Sequence, residues 1–429
     1  MRRRIGCPSY APGAALQQAL VQQVRPPGET PLERPGNCLY FQPSKFAVPG
    51  TNPDSFVSGA YGFTLSLASQ ATDEVIEVRA IDWNSGFGTN TVDLTLNRKL
   101  WPDDVLTVAY TQGTHDFQNA NGLVQSITGL TSTNTMTASI AGYRYVDPSG
   151  NDSNDGLAAG TAWATWTKVE TELPSVADNT AILVTRGETW TDVAIDVDDS
   201  NMWFGAYGAG ARPIIDNSSY SSGSSAIRVG FGGAVSNVRI AGFRYEGVEN
   251  PSSTSTGGRF VGFSSGNASN CYVSHSYVNK GWNSILTLRG GSGLEYVGIE
   301  AHNSKNSGLW MGGNKTSLLS NSTMRDCIAI KDASYAAEDG LVLHAESDGS
   351  GNTPMNYYVS SVLQVGAGNK VIRCYSRAGA ASAAEQAYDN TYGEGNQIED
   401  CYFLNLKTSG VGVSVGWSGN DASFKGCYV

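Results

Sequence analysis

The sequence predicts an all-β fold whose larger part is a solenoid of stacked coils. Three observations carry that reading. Gly at 51 of 429 residues, 20 Tyr and only 16% charged residues suit strands joined by turns. Past residue 216 no helical period is legible. From residue 217 short strands recur, such as Asn237 to Tyr245, Cys271 to Val278, Leu294 to Ala301, Thr323 to Ile330, Lys370 to Tyr375 and Gln397 to Leu404. A second phrase follows most of them: NSILTLRGG, NSGLWMGG, EDGLVLHAE, YDNTYGEG, TSGVGVSVGW. A period of roughly 20 to 30 residues marks a solenoid, in which stacking buries the face that one coil leaves open.

In chain order, residues 1–50 read as an extended arm. Pro8, Pro12, Pro26, Pro27, Pro31 and Pro35 punctuate it, and only Leu16, Ala19, Leu20 and Val24 fall at helical spacing. The prolines and paired glutamines interrupt any signal-peptide core behind the arginines at positions 2 to 4, so no export is expected. Residues 51–142 carry alternating apolar positions, among them Phe63, Leu65 and Leu67, then Val92, Leu94 and Leu96, and predict a small β-sandwich. The phrase TVDLTLNRKLWPDDVLTVAYT resembles bacterial immunoglobulin-like modules, which space or bind.

Residues 143–216 set out a strand (Tyr143, Tyr145, Val146), a turn cluster from Asp147 to Gly156, and a helical segment. The continuous strand Ala181 to Val184 follows. SGNDSNDG, TAWAT, RGETW and YGAGARPIID stand in that order. Together they resemble the start of the pectate-lyase-like superfamily. That resemblance implies a right-handed parallel β-helix with a short N-terminal capping helix over residues 143–429. The superfamily holds lyases, hydrolases and non-catalytic binders, so chemistry has to come from a site. Asp147, Ser149, Asn151, Asp152 and Asp155 have the oxygen density of a calcium loop, but their spacing departs from the EF-hand and suits a turn before the helix. Gly262 to Gly266 fits a nucleophile-elbow string with no helix behind it, which argues against esterase chemistry.

A net charge of −11 argues against nucleic-acid or anionic-membrane partners, and no apolar run approaches bilayer length. Seven cysteines without a Cys-x-x-Cys pair disfavour a disulfide framework and a zinc site. Cys374, Cys401 and Cys427 open similar phrases (VIRCYSR, QIEDCYF, SFKGCYV). Cys327 fits the same slot 47 residues before Cys374, as two coils or as one coil carrying a loop. They predict a column of buried thiols.

Stacking also places side chains, because coils lie about 4.8 Å apart and equal positions in successive phrases form columns. Asn283, Asn306, Glu338 with Asp339, Asp389 and Thr408 are expected in one column, with Arg289, His344 and Glu394 near the far strand ends. Asp339 and Asp389 serve either as turn caps or as an acid pair at a glycosidase-like separation, His344 either as a structural donor or as a general base, and Glu394 completes the catalytic candidates. Trp282, Arg289, Trp310, Tyr392 and Trp417 are the substrate-binding candidates, since sugar rings stack on aromatic faces. His302, Lys305 and Lys315 are either solvated turn residues or cations facing an acidic sugar. No metal or cofactor is expected.

Two functional classes fit. The first is a phage tail-fibre or tailspike-like virion protein, assembled in the host cytoplasm. Residues 1–50 attach it to other tail proteins, the sandwich spaces, and the β-helix meets host-surface glycan, either cutting or only binding it. The tailspike resemblance implies a homotrimer. The alternative is a secreted polysaccharide lyase or glycoside hydrolase, which needs an export signal. The sequence stops at Cys427, Tyr428 and Val429, one strand into a new coil, so a further segment or a partner is expected to cover that end.

Overall fold

The computed structural model describes residues 63–67, 70–76, 78–84, 91–101, 105–110, 118–119, 122–123, 127–133 and 140–427. Within the last stretch it leaves out 220–224, 252–257, 265–266, 288–290, 307, 314–318, 337–340, 346–367, 380–385, 392–395, 407–410 and 417–422. The arm and its leucines lie outside the described residues. Two compact units divide the chain: Met1–Gln70 with Val75–Met136, and Ala71–Glu74 with Thr137–Val429.

In the first unit Val105–Tyr110 pairs antiparallel with Phe63–Leu67 on one side and Ile127–Thr133 on the other. Val78–Asn84 and Thr91–Leu96 form a separate antiparallel pair. Leu65, Leu67, Val78 and Leu96 are buried, as period-two alternation requires of a strand with one covered face.

The second unit is a parallel β-helix. Each coil visits a ten-stranded first sheet, an eight-stranded second sheet and an eight-stranded third sheet, and neighbours within each sheet are successive coils. One coil runs through Arg239–Ala241, Arg244–Glu246 and Val261–Phe263, passes the short strand Ala268–Ser269, and returns to the first sheet at Tyr272–Ser274. Crossovers between parallel strands of one sheet wind right-handed in nearly all proteins. The core is the column of inward positions. In the first sheet Ile182, Phe204, Ile240, Val273, Tyr296, Met324, Val371 and Ile398 stack in register and are fully buried.

The short helix Trp166–Glu172 closes the N-terminal end of this core. The Thr165 side chain caps it by accepting from the Lys168 N–H at 3.1 Å. Trp166 packs edge-on to Trp190 at 6.5 Å and against Phe243 at 6.3 Å. The oxygen-rich turn before it holds the cap in place. Asp152 accepts from the Ala164 and Thr165 N–H groups and the Thr165 hydroxyl, and Asp155 accepts from Leu157 and Thr161. Burial alone would raise the Asp147 carboxyl, but hydrogen bonds from Ser149, Thr185 and Tyr207 outweigh it and hold the group below its usual range.

The long phrases expected as single strands are each two strands, broken by a two-residue corner between the first and second sheets. The first corner residue is left-handed in every described coil from the fourth onward: Gly242, His275, Gly298, Asp326, Arg373, Asp400 and Gly426. The second points inward: Phe243, Ser276, Ile299, then Cys327, Cys374 and Cys401, all buried, with Cys427 half-buried. The thiol column therefore exists, and its slot is this corner. Thr323 pairs directly with Lys370, so the 47-residue spacing is one coil with a loop. At the third-to-first corner the left-handed residue is Asn201, Asn237, Asn270 or Asn321, replaced by Gly293 and Gly368. A Cβ on Gly293 would lie 2.5 Å from Asn270 Oδ1, so the asparagine of the coil before claims that space.

Candidate functional site

The third sheet and the corner leading into it bring the described candidates together. Along the sheet Ile285, Leu309 and Met311 are fully buried, so Trp310, half-exposed, lies in the outward row. Strand register sets the Trp310 backbone in one row with Asp196, Arg228, Gly262, Leu286, Val342, Asp389 and Ser414. Asp196 and Arg228 form an ion pair in it. Gly312, His344, Thr391 and Gly416 form a row two residues further on.

Asp389 therefore stands two coils from Trp310, about 10 Å along the stack. His344, on the adjacent strand and two positions along, is about 8 Å from Asp389 between backbone positions. This register differs from the expected column. Asn283 lies two residues before Ile285, whereas Asp389 lies one after Tyr388, whose row contains Ile285, Leu309 and Leu341. Asp389 and Asn283 thus occupy different rows.

The corner between the second and third sheets supplies the polar part. Trp282 is half-exposed, and Lys305 Nζ lies 5.8 Å from its ring centroid. The Lys305 N–H donates to the Gly281 carbonyl at 2.9 Å and the Asn306 N–H to the Trp282 carbonyl at 2.8 Å, so the two corners stack. Asn283, 2% exposed, donates through Nδ2 to Asn306 Oδ1 at 3.2 Å. The Lys331 ammonium, 1% exposed, donates to the Asn306 carbonyl. Ser284 and Ser304 share a hydrogen bond of 2.7 Å behind them. A lysine ending the apolar run IAIK held no sequence signal beyond its place at a strand end, and Lys331 was missed for that reason. His302 is elsewhere: its ring packs tilted against Tyr277 at 4.9 Å and lies 3.8 Å from Glu300 on the second sheet. Asp339, Glu394, Arg289, Tyr392 and Trp417 lie outside the described residues, as do Glu338, Thr408 and Lys315.

Chemically the corner offers the half-exposed indole of Trp282, the Lys305 ammonium and the Asn306 amide, which can hold a sugar by stacking and hydrogen bonding, while buried Asn283 and Lys331 hold Asn306 in place. By strand register Asp389 and His344 lie on neighbouring strands, and they are residue types of acid–base chemistry. No group of three or more His, Cys, Asp and Glu suited to a metal ion occurs among the described residues. No described helix is long and apolar enough to cross a membrane.

No protein-family model matches this sequence, and no curated protein matches it. Among solved structures the chain is similar to a lacto-N-biosidase from Eubacterium ramulus, at 14% identity and TM-score 0.41, over 63% of this chain and 57% of that one. It is similar to a pectate lyase at 15% identity and TM-score 0.36, over 66% and 58%. A tailspike protein of an Acinetobacter baumannii bacteriophage, a capsular polysaccharide depolymerase, matches at 10% identity and TM-score 0.40, over 76% and 56%. The chain spans less than two thirds of the length of each. Its own strand order establishes the β-helix.

Proposed function

We propose that this chain binds a polysaccharide along the third sheet and the corner before it, as a tail-fibre or tailspike-like virion protein. One observation carries the binding reading: half-exposed Trp282 lies under Lys305 beside the paired amides of Asn283 and Asn306, one coil below half-exposed Trp310. One indole at the corner and another on the adjoining strand of the next coil, with the Asn306 amide held between buried partners, suit the rings of a sugar chain that passes from the corner onto the sheet. In this reading residues 1–50 attach to other tail proteins, three copies assemble, and the glycan belongs to a host surface. Asp389 and His344 are the residues through which the bound glycan would be cut.

The test is sedimentation with host polysaccharide, comparing the parent with a Trp282→Ala, Trp310→Ala double variant that retains its thermal transition. Binding is expected to weaken at least about tenfold, the effect of losing about 1.4 kcal/mol. Unchanged binding would remove the site. Cutting is read in the same samples as new reducing ends or as ultraviolet-absorbing unsaturated ends. Asp389→Asn and His344→Ala are expected to lower either signal, and a parent that binds yet releases nothing is a binder only.

A further inference from the structure

A second cationic feature lies on the first sheet. In an outward row of that sheet Trp203 pairs with Arg239 and Arg239 with Tyr272. The Arg239 guanidinium carbon lies 3.9 Å from the Trp203 ring centroid and 5.7 Å from that of Tyr272. Those rings are 1% and 5% exposed, so a half-buried guanidinium is layered between two buried π faces. Cation–π attraction accounts for the two faces. It leaves the rim unused, because the five N–H donors of a guanidinium lie in its plane.

None of those donors is hydrogen-bonded to a described residue, and Nη1 is buried without a partner. Other arginines of the coil differ. Arg228, Arg244, Arg373 and Arg377 each meet a carboxylate. Burial holds the Arg239 pKa below the usual arginine value. In a chain with 39 acidic residues, an arginine without one is not explained by scarcity.

We propose that Arg239, held between Trp203 and Tyr272, is a binding site for a planar carboxylate, as carried by a sugar acid or a small organic acid. A carboxylate in the guanidinium plane accepts two parallel N–H bonds while both π contacts persist. The site is separate from the third-sheet face and stands whether or not that face binds glycan.

The experiment is calorimetric titration of the intact chain, at low salt, with sodium glucuronate, glucose and sodium acetate. Glucuronate is expected to bind the parent and to bind Arg239→Met at least about tenfold more weakly, with Arg239→Lys between them because it keeps charge and loses the fork. Glucose should not distinguish the three proteins. Acetate binding as well as glucuronate identifies the carboxylate alone as the recognised group, and a strong preference for glucuronate identifies a sugar acid. Equal glucuronate affinity in parent and both variants, or no binding of either acid by the parent, overturns the proposal. The Trp282→Ala, Trp310→Ala variant should keep full glucuronate affinity, so the two sites fail independently.

Discussion

The β-helix has two kinds of corner, and they behave in opposite ways. Between the first and second sheets the corner is two residues in each described coil from Arg239–Ala241 onward, with a left-handed residue followed by an inward one. Between the second and third sheets its length changes from coil to coil, as from His302 to Leu309 and from Glu246 to Val261. The constant corner carries structural ladders: the thiols, and a charged row in which buried Asp326 receives Arg373 at 2.8 and 3.1 Å and Arg325 at 2.7 Å. The variable corner carries Trp282, Asn283, Lys305 and Asn306. Length constancy marks where the fold is held, and length variation marks where a surface can be built.

The largest expected effect breaks the constant corner. The Asp326 side chain is fully buried and Arg373 only 15% exposed, so Asp326→Asn leaves a buried cation without its counter-charge. A loss of about 3–5 kcal/mol is expected in denaturant unfolding. A loss below about 1 kcal/mol would show that the ladder is not what holds the corner.

The thiols sharpen the same side of the comparison. Burial pushes Cys327 and Cys401 well up and Cys271 up to about 11, while the Cys401 thiol donates to Cys427 and holds it down, to about 7. At pH 7.5 a thiol reagent should label half-buried Cys427 in the folded protein and reach Cys271, Cys327, Cys374 and Cys401 only on denaturation. Rapid native labelling of Cys374 would contradict the buried column.

At the variable corner Asn306→Ala removes one amide bond to Asn283 and should cost only about 1 kcal/mol. A loss equal to that of Asp326→Asn would erase the distinction between the corners.

The smallest effect lies one coil from Arg373. Burial raises the Asp400 carboxyl, with Lys425 opposing it. A carboxyl raised by folding favours the folded state below its unfolded pKa, and that contribution is lost as pH rises through the folded value. Asp400→Asn should therefore leave stability at pH 7 unchanged or slightly higher and flatten its rise between pH 7 and 4. A thermal-melt series tests this, and marked destabilisation at pH 7 would refute it.

The same contrast explains what the sequence disclosed. The thiol column was legible because a fixed corner keeps CYS, CYF and CYV in phase. The corner itself was not, since His275, Asp326, Arg373 and Asp400 adopt left-handed geometry without the glycine or proline that announces a turn. Trp282 and Trp310 were legible as aromatic residues in repeating phrases. Asp389 was assigned to the wrong row because variable corners shift each phrase relative to its strand, and only pairing with Val342 and Ser414 fixes its place.

From Arg239 onward the two-residue corner also returns each described coil to the same phase whatever its loops have done, as the 47-residue coil after Asp326 does. Doubling a flexible loop costs only about 0.6 kcal/mol in closure entropy. The outer loops are thus interchangeable parts on an indexed shaft, and a loop transplanted from another chain of this kind would change what the surface meets without disturbing the thread beneath it.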